Sequence, residues 1–355
     1  MEKISQKITN QGAWVGEQIK NNDEWICHLS RDAVSDIENA LEYAKSNNVQ
    51  IPFGKSDFPI SIAATEINNS VEEVLKGRGY TLIRGIDIER YNQHECEMIY
   101  WGIGTHIGKP VSQNRKGHTL GHVRDQGLTT DDPDVRLYQT ASQMDFHADF
   151  LPVDLLGLFC LKKAHKGGLS HVVSSLTIHN IMLEERPDLL EVAYKNFYID
   201  WRGEEGPGAL PYISVPMFSV EKGILSSRIP SRIYVHSCER IGPEFKITQK
   251  QSEVLDFVQD TANRPELRLS MSFEEGDIQL LNNHTTMHAR DAYIDHSEPD
   301  NKRHLLRMWL SVEDGHRRPL APSLDSLYSV VENGGIPKTS SSFDSLYGKL
   351  GCYKT

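Results

Sequence analysis

The sequence changes its periodicity at about residue 108, and this change limits the folds that the chain can adopt. Before it, apolar residues recur at helical spacing, as in residues 30–47, with a strand-like run at residues 80–86. After it, short β-type runs such as residues 156–162 and 304–311 dominate, and helical periodicity returns between about 176 and 262. Many short strands with inserted helices predict an antiparallel barrel or jelly roll that carries a helical N-terminal cap.

The same patterns divide the chain, which we expect to form a single domain over residues 1–355. A helical N-terminal region covers residues 1–107, and a jelly-roll core covers residues 108–315 with a helical insertion at about 176–262. Residues 316–355 form a C-terminal tail rich in Pro, Ser and Gly. No GxGxxG follows a strand and no GxxxxGK[ST] occurs, so nothing indicates dinucleotide or P-loop nucleotide binding.

Composition excludes several classes of partner. The chain has 38 Lys and Arg against 49 Asp and Glu, and this net charge of −11 disfavours binding to nucleic acid. The longest apolar stretch, residues 155–161, is far shorter than the roughly 20 residues of a membrane span, and the N-terminus has no apolar signal region. The five cysteines are scattered without a CxxC pair, as is typical of reduced thiols. We therefore predict a cytoplasmic protein. The sequence leaves open whether it is a monomer or a homo-oligomer.

One H-x-D motif, His147-Ala148-Asp149, provides the first candidate metal ligands. In a strand, residues i and i+2 point to the same face, so His147 and Asp149 project together. An imidazole and a carboxylate side by side can bind a divalent metal at two points. The alternative is an ion pair at the end of a strand, in which the carboxylate only orients the imidazole.

Two histidines near the end of the core are candidates for a third ligand. His284 and His288, with Thr286 between them, share one face of a predicted strand. Two histidines and one carboxylate with open positions are the signature of non-haem Fe(II) oxygenases. The alternative is that these histidines are buried strand residues satisfied by hydrogen bonds.

Two arginines lie in the last apolar strand. Arg303 and Arg307 are four residues apart, hence on one face and roughly 13 Å apart along the strand. Arginine is always charged and is seldom buried without an anionic partner. The pair therefore predicts anchoring of carboxylates by bidentate hydrogen bonds, and the alternative is pairing with internal Asp or Glu.

The order of these motifs resembles the TauD/TfdA branch of the Fe(II)/2-oxoglutarate dioxygenases, which includes clavaminate synthase-like enzymes. The resemblance covers about residues 75–315. The flanking residues that strengthen it are Gly167-Gly168-Leu169-Ser170, Glu275-Gly276-Asp277 and Asn283, five residues ahead of His288. It implies a mainly β fold with flanking helices, built on a double-stranded β-helix (a cupin-like jelly roll).

The resemblance also implies roles for individual residues. It places Fe(II) on His147, Asp149 and His288 and the distal carboxylate of 2-oxoglutarate on Arg303. Ser170 occupies the position where many relatives have a Thr that contacts the same carboxylate, although Leu169-Ser170 departs from the usual acidic-Thr pair.

Further positions are implied for the co-substrate and the substrate. Gln143 matches an amide beside the co-substrate, and Arg307 matches a residue that binds an acidic group of the substrate in several relatives. His106 lies where some relatives place a substrate-contacting histidine, and His284 either lines the cavity or packs. The segment Trp201-Arg202-Gly203 forms either a loop over the site or an ordinary surface loop.

The resulting expectation is a single catalytic domain that uses Fe(II), 2-oxoglutarate and O₂. It hydroxylates an unactivated C–H bond of a small polar substrate, an amino acid or other small acid, and releases succinate and CO₂. The carboxylate of Asp149 favours hydroxylation over halogenation. Three alternatives remain at this stage: desaturation or cyclisation with the same cofactors, a non-catalytic jelly roll that senses 2-oxoglutarate, and hydroxylation of a partner protein.

Overall fold

Two mainly antiparallel β-sheets form the centre of the fold, and most of the helices pack outside them. The structure, a computed structural model, describes residues 2–129, 135–313 and 315–339. Its α-helices are α1 (Gly16–Ile19), α2 (Arg31–Ser46), α3 (Ile62–Lys76), α4 (Gln93–Ile107), α5 (Ser175–Glu185), α6 (Pro187–Ala193), α7 (Arg232–His236), α8 (Gln249–Ala262) and α9 (Asp325–Glu332). In the part of the chain described here, no helix combines the length and the apolarity that a membrane crossing requires.

The strands are short and lie mainly after residue 108, in agreement with the sequence pattern. They are β1 (Ile26–His28), β2 (Tyr80–Arg84), β3 (Lys109–Val111), β4 (Leu120–Val123), β5 (Met144–His147), β6 (Leu155–Lys162), β7 (Lys166–Gly167), β8 (Ser170–Ser174), β9 (Asn196–Asp200), β10 (Tyr212–Pro216), β11 (Phe218–Glu221), β12 (Ile224–Ser227), β13 (Leu269–Met271), β14 (Ile278–Asn282), β15 (Thr286–Arg290), β16 (Tyr293–Ile294) and β17 (His304–Ser311).

The larger sheet has seven strands in the order β1-β2-β14-β6-β17-β3, with β4 also paired to β17. Its pairs are antiparallel except β1 with β2. The smaller sheet has the order β13-β8-β15-β5 and is antiparallel throughout. The predicted mainly β fold with flanking helices is confirmed.

Three apolar clusters explain why the central strands carry few polar residues. The first lies between the larger sheet and helices α2 to α4, and includes Ile37, Ile99 and Phe159. The second joins the outer face of the smaller sheet to α5, α6 and α8. The third lies between the sheets, where Val172 of β8 and Leu305 of β17 belong to the same cluster. Because the larger sheet is covered on both faces, all five residues of β14 are buried.

The predicted subdivisions contain elements that the sequence patterns did not indicate. The region predicted as helical contributes two strands to the larger sheet: β2, which the strand-like run at residues 80–86 indicated, and β1, which no pattern indicated. The segment predicted as a helical insertion at about 176–262 also contains two hairpins, β9 with β10 and β11 with β12. Their strands have only four or five residues, too few for an alternating pattern to stand out beside glycines and prolines. The tail is described as far as residue 339 and includes α9 with its buried Leu327 and Val331.

The buried His179 of α5 gives the fold a predicted pH dependence. Its Nε2 is 2.9 Å from the Tyr194 hydroxyl, and burial lowers its pKa to about 4. A histidine in the unfolded chain has a pKa near 6.5. Between about pH 4 and about pH 6.5 the unfolded state therefore binds more protons than the folded state. The free energy of unfolding consequently falls as the pH drops from about 6.5 to about 4. The expected loss from His179 is about 3 kcal/mol.

Denaturant unfolding at several pH values between 7.5 and 4 measures this loss, with His179→Gln as the comparison. We expect the variant to show a shallower decline over this range because its side chain does not titrate. Equal slopes for the two proteins would contradict the assignment.

Candidate active site

The H-x-D motif and the distant histidine meet on the smaller sheet. His147 is the last residue of β5, and Asp149 follows two positions later. His288 lies in β15 directly opposite His147 in the antiparallel register. Residues paired across two antiparallel strands place their side chains on the same face, so the register brings the two imidazoles together. Their ring centroids are 4.3 Å apart.

The three side chains form a compact cluster of possible ligand atoms. Asp149 Oδ1 is 3.8 Å from His147 Nε2 and 3.7 Å from His288 Nε2. One potential ligand atom from each of the three residues lies within 4.8 Å of the other two. Two imidazole nitrogens and one carboxylate oxygen are the donor set that non-haem Fe(II) prefers, so these residues fit an iron ion. An ion pair between His147 and Asp149 alone would not require the second imidazole.

The charge states of the cluster also suit metal binding. Burial alone would raise the pKa of Asp149, but the Arg307 guanidinium, the two imidazoles and the Trp309 indole together hold that pKa below its ordinary value. Burial and the neighbouring His147 lower the pKa of His288 to about 3. At neutral pH the site therefore presents an ionised carboxylate and a neutral His288 imidazole, the forms that coordinate a metal.

Asn283 and Arg228 fix the backbone around Asp149. The Asn283 side chain accepts a hydrogen bond from Asp149 N at 2.8 Å and donates to the carbonyls of Asp149 and Leu151. The fully buried Arg228 donates to the carbonyls of Asp149, Phe150 and Leu151. The sequence analysis noted Asn283 as part of the resemblance but missed Arg228, since no local pattern relates it to Asp149.

Arg307 lies between the carboxylate and the aromatic walls. Its Nη1 is 3.5 Å from Asp149 Oδ2, and its Nε donates to Gln113 Oε1 at 2.7 Å. The guanidinium carbon stands 4.8 Å from the ring centroid of Tyr138 and 5.0 Å from that of Trp309. Gln113, Tyr138 and Trp309 are site residues that the sequence analysis did not single out.

A cavity of about 470 Å³, called here the inner cavity, extends from His288 toward Arg303. It is lined by Val123, Tyr138, Met144, His147, Leu158, Ser170, Phe273, His288, Ala289, Arg290, Arg303, Leu305 and Arg307. Ser170 and Arg303, both predicted to contact the co-substrate, are thus brought together beside the cluster.

The inner cavity has a strong excess of positive charge. Arg290 and Arg303 both lie over the Tyr293 ring, with their guanidinium carbons 4.8 Å and 5.1 Å from the ring centroid. Burial lowers the pKa of each, that of Arg290 to about 10. The neighbouring Asp295 accepts a hydrogen bond from the Arg303 backbone N–H at 2.7 Å; among the described residues the Arg303 guanidinium forms no ion pair within 4.0 Å, and its Nη1 has no hydrogen-bond partner. A buried guanidinium in this state favours an anionic ligand.

A second cavity of about 840 Å³, called here the outer cavity, also borders the cluster: His147 and Asp149 line it, and it shares His147 and Arg307 with the inner cavity. Three arginines line it, Arg136, Arg202 and Arg307, together with Glu204. The aromatic residues of its wall are Tyr138, Phe150, Trp201, Tyr234 and Trp309. Arg202 has φ of 53°, a left-handed conformation that is strained for a residue with a side chain. Trp201 and Arg202 are both buried and line this cavity, so they belong to a loop over the site rather than to an ordinary surface loop.

Three predicted site residues lie outside both cavities. His106 is in α4. Its Nε2 is 2.8 Å from the Phe58 carbonyl oxygen, a contact that ties α4 to the segment ahead of α3. Gln143 is exposed, one residue ahead of β5. His284 is buried with its Nε2 3.9 Å from Asp154 Oδ1. Since β15 begins only at Thr286, the alternation that aims His288 at the cluster does not extend back to His284.

Comparison with known proteins agrees with this geometry. The sequence model of the taurine catabolism dioxygenase TauD, TfdA family matches residues 43–309. FR-33289 synthase of Streptomyces rubellomurinus is 31% identical over 328 residues, which cover 91% of this chain and 96% of that protein. A taurine hydroxylase-like protein of Stachybotrys chartarum is 25% identical over 91% of this chain and 84% of its own length.

A solved structure shares the fold at low sequence identity. The asparagine oxygenase complex with Fe(II), a 3-hydroxyasparagine and succinate matches with a TM-score of 0.55 and 14% identity, covering 81% of this chain and 94% of that chain. Together with the family match over most of the chain, the paired cavities beside a two-histidine, one-carboxylate cluster lead to one conclusion. The protein belongs to the TauD/TfdA family and is an Fe(II)- and 2-oxoglutarate-dependent dioxygenase.

Proposed function

We propose that this dioxygenase binds Fe(II) through His147, Asp149 and His288 and hydroxylates a C–H bond of a small acidic molecule held in the outer cavity. The convergence of these three side chains between two cavities is the observation that carries the proposal. The inner cavity takes 2-oxoglutarate, whose distal carboxylate is bound by Arg303 and Ser170. The outer cavity takes the substrate, whose acidic group is bound by Arg307.

The chain's own residues supply binding, orientation and exclusion of water. Iron bound at this cluster supplies O₂ activation coupled to the conversion of 2-oxoglutarate to succinate and CO₂. Three protein ligands would leave coordination positions open for the co-substrate and O₂. Arg303 fixes the far end of the co-substrate, while Phe150, Trp201 and Tyr234 surround the substrate and keep bulk water out.

Charge in the outer cavity supports an acidic substrate. Arg136, Arg202 and Arg307 line it. Apart from the proposed iron ligand Asp149, Glu204 is the acidic residue of its wall within the described part of the chain. A guanidinium recognises carboxylate, sulfonate and phosphonate groups through directed N–H donors. One relative is named for similarity to a taurine hydroxylase, and taurine carries a sulfonate. The aromatic wall is suited to a compact molecule, such as an amino acid or another small acid.

Hydroxylation is the outcome that the ligand set supports best. Asp149 fills the third protein position, so the site has no place for a halide beside two histidines. Desaturation or cyclisation would use the same ligands and is the second candidate; product mass separates it, as hydroxylation adds one oxygen and desaturation removes two hydrogens. A protein that only senses 2-oxoglutarate would form no succinate in the presence of any substrate.

The experiment that tests the substrate class measures succinate formation from 2-oxoglutarate in a panel of small carboxylic, sulfonic and phosphonic acids, each paired with its neutral amide or ester. We expect some acids to stimulate succinate formation and their neutral analogues to fail. Arg307→Gln should raise the KM for a stimulating acid, with a loss of about 2–5 kcal/mol in binding, because it removes one partner of a buried charge pair. Equal stimulation by acids and neutral analogues would contradict the role of Arg307.

A further inference from the structure

The two oxygens of the Asp149 carboxylate have different surroundings. Oδ1 lies 3.8 Å and 3.7 Å from the Nε2 atoms of His147 and His288. Oδ2 accepts a hydrogen bond from the Trp309 indole N–H and lies 3.5 Å from Arg307 Nη1. The carboxylate side chain is 4% exposed, so water does not compete for either oxygen.

The backbone of β17 explains why an indole and a guanidinium reach the same oxygen. Leu305, Arg307 and Trp309 alternate along this strand, Arg303 directly precedes it, and each of the four lines at least one of the two cavities. The intervening Leu306, Met308 and Leu310 point the other way, into the cluster below the N-terminal helices. Residues 307 and 309 are therefore adjacent on the face that looks toward Asp149.

Both donors are themselves held in place. Trp309 is 3% exposed and belongs to the apolar cluster between the sheets. The Arg307 Nε is engaged by Gln113 Oε1, and the Gln113 amide donates in turn to the carbonyls of Arg307 and Thr119, which fixes its orientation. A carboxylate bound by rigid donors on one side cannot rotate without breaking those hydrogen bonds.

We infer that Trp309 is a positioning residue that holds Oδ2 of Asp149 away from the iron, so that Asp149 coordinates through Oδ1 alone. The inference rests on the proposed iron site. With a single oxygen from Asp149, three positions stay available for the two oxygens of 2-oxoglutarate and for O₂. Loss of the indole N–H would free Oδ2 to turn toward a bound metal, where it would compete with 2-oxoglutarate for one of these positions.

The test compares Trp309→Phe with a matched control, Trp101→Phe. Both changes keep an aromatic ring and remove one buried indole hydrogen bond, since Trp101 Nε1 donates to the Phe53 carbonyl at 2.9 Å, away from both cavities. Anaerobic titration with Fe(II) and 2-oxoglutarate reports binding through the visible charge-transfer band. We expect Trp309→Phe to need about 10- to 100-fold more 2-oxoglutarate to develop the band, the usual range for loss of an outer-shell hydrogen bond, and to shift the band, because the freed Oδ2 competes with the co-substrate. Trp101→Phe should keep the wild-type affinity and band.

Wild-type affinity and an unshifted band in Trp309→Phe would overturn the inference while leaving the iron site intact. Failure of the unaltered protein to bind Fe(II) would instead overturn the proposed function. If Trp309→Phe does not fold, the unaltered protein still provides a test through its indole N–H nuclear magnetic resonances, with Zn(II) as a redox-inert metal. The Trp309 signal should exchange slowly with solvent and shift when Zn(II) binds, and rapid exchange without a shift would refute its contact with Asp149.

Discussion

His288→Ala abolishes the anaerobic charge-transfer band of the Fe(II)–2-oxoglutarate complex. His288 stands opposite His147 in the sheet, and its neutral imidazole is one of two nitrogen donors in the cluster. Without it, one imidazole and one carboxylate remain. The loss of Fe(II) affinity should exceed the roughly 10- to 100-fold that removal of an outer-shell partner causes, because a direct ligand is lost. Titration of the apo-protein with Fe(II) in the presence of 2-oxoglutarate measures this loss.

His284→Ala is the matched control for this prediction. His284 is a buried histidine of the same segment, and the sequence pattern placed it on the same face as His288. Its ring lies near Asp154 rather than in either cavity, so its removal should leave the band in place. Loss of the band in His284→Ala with retention in His288→Ala would show that the cluster has been assigned to the wrong histidine.

Arg303→Ala raises the Kd of 2-oxoglutarate by a factor that corresponds to about 2–5 kcal/mol, the range for truncating one partner of a buried charge pair. The guanidinium is almost fully buried and its Nη1 has no hydrogen-bond partner among the described residues, while Asp295 is bound to the Arg303 backbone N–H, so a bound carboxylate would become the direct anionic partner of the guanidinium. The charge-transfer band, followed as 2-oxoglutarate is added to the Fe(II) protein, gives the Kd.

A shorter 2-oxo acid separates this effect from general damage to the site. 2-Oxobutyrate has the metal-binding 2-oxo acid group but no distal carboxylate for Arg303 to bind. We expect its Kd to be weak and nearly equal in wild type and Arg303→Ala. A similar loss of affinity for both acids in the variant would mean that Arg303 supports the cavity wall rather than the distal carboxylate.

The location of the site on strands could be predicted because strand alternation is a local property. The period of two placed His147 and Asp149 on one face, and it placed Arg303 and Arg307 on another, without knowledge of the neighbouring strands. The rule assumed longer strands than the structure has: β5 ends at His147, but Asp149 still lies beside it, whereas β15 begins at Thr286 and His284 lies near Asp154 instead. Residues 283–285 form a turn ahead of β15. The boundary of an element depends on backbone hydrogen bonds, which the side-chain pattern does not report.

The residues that surround Asp149 show the limit of sequence reasoning from another side. Asn283, Arg228 and Trp309 contact it from sequence separations of 134, 79 and 160 residues. Helical and strand periodicities relate residues only a few positions apart, so no periodicity could relate any of the three to Asp149. His106 and Gln143 were assigned from the family resemblance, and neither lines the inner or the outer cavity.

The sequence by itself determined the class of fold, the types of side chain available for a metal and an anion, and the face of the strand on which they lie. These follow from alternation and from the chemistry of histidine, aspartate and arginine, which act over a few residues. The tertiary structure decided which histidine joins His147 and Asp149, which oxygen of Asp149 faces them, and which arginines enclose each cavity. Those choices depend on strand register and on packing between two sheets, where residues far apart in sequence become neighbours.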